Sequence, residues 1–177
     1  MCPNTAQSRL GSVPFFIQEV TFQGLELYIL YFRGFNMETE HGQVRIVAGM
    51  PMYNEEETIG TVVTMALRHV DEVICIDDGS SDSSARIAEA CGATVIRHRG
   101  NQGYGAALKT LFKSTRDSDA DILVVLDSDG QHDTADIPKL IQPILDEEAD
   151  FTIGSRFVAG GEGNDMPAYR RLGIKVI

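Results

Sequence analysis

Two carboxylates set two residues apart, Asp127 and Asp129 in Asp127-Ser128-Asp129, are the groups in this chain best suited to chemistry. They follow Ile122-Leu123-Val124-Val125-Leu126, an apolar run rich in β-branched residues that reads as a buried parallel strand. The polar loop Gly130-Gln131-His132-Asp133 comes next. Side chains at i and i+2 of a strand point to one side, so the two aspartates are expected to converge on one hard cation. Mg²⁺ and Mn²⁺ take oxygen ligands and are often held by one or two protein carboxylates, with substrate phosphates and water completing the shell. A metal carrying a diphosphate is the guest this pattern suits. The alternative is a plain acidic loop after a strand.

The elements that must position these groups start at Val44. A strand is expected over Val44 to Gly49, broken by Pro51, with Asn54 as N-cap of a helix from Glu55 to about Arg68. A second strand over Val73 to Ile76 ends in Asp77-Asp78, and a helix then runs to Cys91 with Gly92 as its stop. Thr94 to Ile96 is a third strand, and the loop Gly100 to Gly105 opens a helix through about Thr115. After the Ile122–Leu126 strand, a helix is expected over Asp136 to Glu148, with Pro138 in its first turn and Pro143 kinking it. Phe151 to Gly154 reads as a fifth strand, Gly160 to Asn164 as a loop, and a helix is expected from Pro167 onward.

Strands alternating with helices predict an α/β fold, a Rossmann-like, mostly parallel sheet flanked by helices. Such sheets bind ligands beyond the carboxyl ends of their strands. Four polar clusters fall there: Tyr53-Asn54-Glu55, Asp77-Asp78, Asp127-Ser128-Asp129 and Ser155-Arg156. The glycine loop could cradle phosphate. It follows the third strand, however, and no Lys directly follows one of its glycines as a Walker Gly-Lys-Ser or Gly-Lys-Thr requires, so packing a helix on the sheet is its expected role. Tyr53 suits either a core edge or stacking on a base. Asp77 suits a turn cap, and His132 a solvated loop position.

Composition sets the outer limits. The chain has 177 residues, enough for one domain with a core, and is 43% hydrophobic. Its net charge of −11 argues against nucleic acid as a partner and against a polybasic membrane anchor. Cys2, Cys75 and Cys91 form no Cys-x-x-Cys pair, which points to a reducing, cytoplasmic setting and no zinc site. No stretch reaches the ~20 apolar residues of a membrane span. Residues 1–43 carry apolar patches of mixed period and no site motif, so they are expected to be a leader without chemistry, with 44–177 as the functional domain.

Met50-Pro51-Met52-Tyr53-Asn54-Glu55-Glu56, Asp77-Asp78-Gly79-Ser80-Ser81-Asp82 and Leu126-Asp127-Ser128-Asp129-Gly130-Gln131-His132 together resemble family 2 glycosyltransferases of GT-A fold. Gly154-Ser155-Arg156 and Pro167-Ala168-Tyr169-Arg170-Arg171 resemble the polyprenyl-phosphate (dolichyl-phosphate) sugar synthases within them. The likeness runs from Val44 to Ile177. It implies a nucleoside pocket lined by Pro51, Tyr53 and Glu55, with Asp78 accepting from the base. It implies a Mg²⁺ or Mn²⁺ and diphosphate at Asp127 and Asp129, helped by Gln131, and phosphate contacts from Arg156 and Arg170 at the reaction centre. Asp129, Arg156 and Arg170 would then be catalytic. Ser128 stands where the family often has alanine.

The resemblance further implies a nucleotide-sugar donor, GDP- or UDP-linked, and a lipid-phosphate acceptor at the cytoplasmic face of the membrane. Family members usually continue further, so the acceptor platform is expected to be incomplete at Ile177, with any peripheral membrane contact made by that later part. A homo-oligomer stays open. An ionised lipid phosphate needs no general base, whereas a sugar hydroxyl does. Three readings remain: inverting transfer to a polyprenyl phosphate, transfer to a sugar hydroxyl in glycan synthesis, and a non-catalytic nucleotide-binding module.

Overall fold

The computed structural model describes residues 44–118, 120–149 and 151–154. Four strands form one sheet: β1 (Ile46–Met52), β2 (Glu72–Asp77), β3 (Thr94–Arg97) and β4 (Ile122–Val125). Between them run α1 (Ile59–Ala66), α2 (Ser84–Ala90) and α3 (Tyr104–Arg116), with α4 (Ile137–Leu145) after β4. All pairings are parallel and the order is β3-β2-β1-β4. The chain therefore winds outward from β1 through β2 to β3, then returns to the other side of β1. The switch in direction lies between β1 and β4, which is where sheets of this kind bind ligands.

Alternate strand residues enter two cores. Ala48, Cys75 and Val124 face a core completed by Ile59, Val62 and Val63 of α1, Ala85 and Ala88 of α2, and Ile137 and Ile141 of α4. Val47, Ile74, Ile76, Leu123 and Val125 face the opposite core, filled by Ala107 and Leu111 of α3. Gly49 sets the approach of α3: a β-carbon there would lie 2.4 Å from Leu111 Cδ2. The α/β class with a Rossmann-like parallel sheet is the one expected.

Several boundaries differ from expectation. Pro51 lies inside β1, opposite Ile76 of β2. It is tolerated because the β1–β4 pairing ends at Gly49–Val125, so no ladder hydrogen bond needs a Pro51 N–H. Asn54 is no helix cap. Its φ is +56° and its side-chain oxygen accepts from Ser81 N at 2.9 Å, so α1 begins only at Ile59, with Thr58 as N-cap. Helix α2 ends as expected: Gly92 has φ +97°, and its N–H and that of Ala93 return to Glu89 O and Ala88 O. Pro138 sits in the first turn of α4, and the helix stops two residues after Pro143. Phe151 to Ile153 form no strand and Gly154 makes only an isolated bridge; Phe151 and Ile153 are exposed, without the cover a buried strand requires.

Candidate active site

At the carboxyl edge, between β1 and β4, lies a cleft of about 390 Å³. Pro51, Tyr53 and Glu55 line it from the end of β1, and Asp78 from the end of β2. Gly103 and Tyr104 close one side at the start of α3, and Asp127, Ser128 and Asp129 come from the loop after β4. Six residues singled out in the sequence thus border one space.

The β4 loop reaches the cleft by turning. The strand ends at Val125, so Asp127 and Asp129 do not project as neighbours on a strand. Leu126 N still bonds Gly49 O, after which the backbone leaves the ladder and Gly130, at φ +75°, turns it back. Asp129 Oδ1 accepts from Gln131 N at 2.9 Å, an Asx turn that fixes the carboxylate. Ser128 Oγ donates to Pro51 O at 2.9 Å and Thr58 Oγ1 donates to Ser128 O at 2.8 Å. The loop is thereby tied to β1 and to the start of α1. Gln131 contributes its backbone N–H to this turn, and it does not line the cleft.

Asp127 is one-third exposed and faces two aromatic partners. Tyr104 Oη donates to its Oδ1 at 3.2 Å. Burial and the Asp127 carboxylate, with Asp129 beyond it, push the Tyr104 phenol well above its ordinary range, so it stays a donor through neutral pH. His132 is buried, against the expectation of a solvated loop histidine. Its Nδ1 accepts from Asp127 N at 3.1 Å and its Nε2 lies 3.5 Å from Asp127 Oδ2.

Asp78 is buried, and its carboxylate organises the glycine loop. It accepts from Gln102 N at 2.9 Å, from Gly103 N at 2.7 Å and from His98 Nδ1 at 2.7 Å, and His98 Nε2 meets Thr110 Oγ1 of α3. Burial alone would raise the Asp78 carboxyl; these donors outweigh it and hold it below the usual carboxylate range. The amides that could have cradled phosphate here point at Asp78. Gly79 lets the loops touch: at φ +81°, a β-carbon on it would lie 2.6 Å from Gly100 Cα. Asp77 Oδ1 caps the following turn by accepting from Ser80 N, and its Oδ2 pairs with Arg97 Nε at 2.9 Å.

Neither Tyr104, His98 nor His132 was singled out for the site from sequence. Tyr104 carried a signal, an aromatic at the mouth of a loop expected at the carboxyl edge. Tyr53 is exposed on the cleft rim, which removes the core-edge alternative. Arg156 and Arg170 lie outside the described residues, as do Ser155 and the 1–43 leader.

The donor set suits a hard cation. Asp127 and Asp129 offer carboxylate oxygens at an open cleft, and among the described residues no thiol lines it. Among the described residues no group of three or more His, Cys, Asp or Glu is gathered to hold a metal. Mg²⁺ commonly binds with one or two carboxylates and completes its shell from substrate phosphates and water. Among the described residues no helix is long and apolar enough to cross a membrane.

Comparison with known proteins follows the same lines. An uncharacterized protein of Methanocaldococcus jannaschii is 37% identical over 125 residues, covering 70% of this chain and 51% of that protein. The UDP-N-acetylglucosamine–dolichyl-phosphate N-acetylglucosaminyltransferase of Methanococcus voltae is 34% identical over 142 residues, covering 70% and 57%. The dolichol-phosphate mannosyltransferase of Pyrococcus furiosus is 34% identical over 131 residues, covering 70% and 36%. The chain thus matches about a third to just over half of each relative's length. The family model described as glycosyl transferase family 2 matches residues 48–175, and with the parallel sheet it bears out the GT-A fold class. The chain belongs to glycosyl transferase family 2.

Proposed function

We propose that this chain carries the donor-binding and catalytic region of an inverting glycosyltransferase that moves a sugar from a nucleotide diphosphate to a polyprenyl phosphate. The observation that carries the reading is the shared cleft: Pro51, Tyr53, Glu55, Asp78, Asp127 and Asp129 border one space at the switch between β1 and β4. In this reading residues 44–177 form the transferase domain and 1–43 a leader, of which 1–36 are dispensable. Tyr53 stacks on the base, and Glu55 and Pro51 shape the nucleoside pocket. Asp78 bounds that pocket by fixing the 100–103 loop, and in this reading it also accepts from a base N–H.

Asp127 and Asp129 would hold Mg²⁺ or Mn²⁺, with Gln131 beside them. The bound metal supplies Lewis-acid stabilisation of the departing diphosphate. The chain's own residues aim that charge. The Asx turn at Asp129 fixes one carboxylate, while Tyr104 and His132 hold the other. Arg156 and Arg170, as guanidinium forks, would gather donor and acceptor phosphates around the anomeric carbon. The acceptor phosphate is already ionised near neutrality and attacks without a general base.

The names of the M. voltae and P. furiosus relatives favour dolichyl phosphate as the acceptor class. The test incubates the chain with UDP- and GDP-sugars, Mn²⁺ and either a polyprenyl phosphate or a free sugar. Transfer to the lipid phosphate is expected. Transfer only to a sugar hydroxyl would replace this reading with glycan extension, and binding without transfer to either would leave a nucleotide-binding module.

A further inference from the structure

We infer that His132 is a positioning residue for the reaction, setting Asp127 to receive the cation and diphosphate. The inference rests on the proposed role of Asp127 and extends it to a residue outside the cleft lining. The imidazole side chain is only 1% exposed although it sits on a loop. Both its nitrogens face the same aspartate: Nδ1 accepts from Asp127 N at 3.1 Å, and Nε2 lies 3.5 Å from Asp127 Oδ2. An accepting Nδ1 places the neutral ring's proton on Nε2, toward the carboxylate. On the other flank Tyr104 Oη donates to Oδ1 at 3.2 Å. The carboxylate is thus oriented from both oxygens while it remains one-third exposed to the cleft. Chain geometry permits this because Gly130, at φ +75°, returns the backbone so that residue 132 lies under residue 127. Groups that orient a metal-binding side chain typically alter metal affinity by roughly 10–100-fold when removed.

The test is a Mn²⁺ titration of the full chain followed by electron paramagnetic resonance of free Mn²⁺, with UDP or with GDP present. His132→Leu fills the ring's space but accepts no hydrogen bond. His132→Asn puts a side-chain oxygen near the place of Nδ1, and His132→Gln carries its amide toward the place of Nε2. Wild type should take up Mn²⁺ with one of the nucleotides, and Asp127→Asn should lose that uptake. His132→Leu should weaken it about tenfold while keeping a cooperative thermal transition, and His132→Asn should restore most of the loss. A residue that merely packs would be replaced by leucine without effect on Mn²⁺, so wild-type affinity in His132→Leu overturns the inference. Should His132→Leu fail to fold, asparagine must bind Mn²⁺ more tightly than glutamine, and equal affinities overturn it. If wild type takes up no Mn²⁺ with either nucleotide, the proposed site itself is wrong and the inference falls with it. If uptake survives only the His132 changes and is lost in Asp127→Asn, the site stands and the role of His132 does not.

Discussion

Replacing Asp78 by asparagine separates two jobs that one carboxylate can do at this edge. In the structure, Asp78 Oδ1 accepts from His98 Nδ1 and Gln102 N, and Oδ2 accepts from Gly103 N with a second, longer contact from Gln102. Asparagine retains one acceptor oxygen and presents an amide where the other was. With its oxygen toward Gly103, the amide donates to His98 Nδ1, which then moves its proton to Nε2 and donates to Thr110 Oγ1. Three charge-assisted contacts become neutral. Hydrogen bonds to charged groups contribute about 1.5–3 kcal/mol and neutral ones about 0.5–1.5, so the three changes cost about 3–4.5 kcal/mol; asparagine also relieves the cost of burying the carboxylate charge, and a net loss of about 2–3 kcal/mol is expected. For a chain of this size that lowers Tm by roughly 5–10 °C.

The pH dependence fixes the cause. The folded carboxyl lies below its ordinary value, so its contribution is fully present above the unfolded pKa of about 3.9. It is lost as pH falls through the lower, folded value. Asparagine does not titrate, so the gap between the two proteins should be full at pH 7 and should shrink below about pH 4. Asp82, whose carboxyl is also held low by Ser84 and Glu56 N, titrates in both proteins and cancels in the difference. Urea denaturation at pH 7 and pH 3 measures this, with calorimetry of UDP and GDP binding alongside. Equal stability at pH 7 combined with lost nucleotide affinity would refute the loop-clamp reasoning and leave Asp78 as a base acceptor alone.

Further outcomes follow from single contacts. Asp129→Asn should keep the fold and weaken Mn²⁺-dependent nucleotide binding about tenfold or more; calorimetry giving equal affinity with and without chelator would contradict it. Gly79→Ala forces a side chain onto φ +81° and 2.6 Å from Gly100 Cα, so a loss of about 2 kcal/mol or more is expected in thermal unfolding. Leu111→Ala should cost about 2–5 kcal/mol and Gly49→Ala about 1–3, yet the double variant should cost less than their sum, because the new β-carbon occupies the space Leu111 leaves. Starting the chain at Met37 should preserve nucleotide binding in a thermal-shift panel, and insoluble protein would show that residues 1–36 belong to the fold.

Sequence reasoning reached the cleft because two rules of short range suffice to build it. Continuous apolar runs select β1, β2 and β4, which are buried almost throughout, and parallel winding sends their carboxyl ends to one edge. Tyr53, Glu55, Asp78, Asp127 and Asp129 follow from those rules alone. What escaped was decided by partners distant in the chain. Asn54 looks like a helix cap in any local window, but Ser81 and Ser80, 27 and 26 residues on, draw it into φ +56°. Asp78 reads as an acceptor for the base until Gln102, 24 residues later, lays its amide on the carboxylate. No periodicity encodes such pairs, because nothing in the composition of a loop says which other loop will lie against it. His132 differs from both. Its partner, Asp127, is only five residues away, and Gly130 between them supplies the turn that joins them. A histidine just beyond a glycine turn after an aspartate is therefore a readable pattern for a carboxylate held from behind. Its physical content is that a buried imidazole needs an acceptor or donor at each nitrogen, and the nearest groups left over at a strand end are the backbone N–H and side chain of the residue that has just left the ladder.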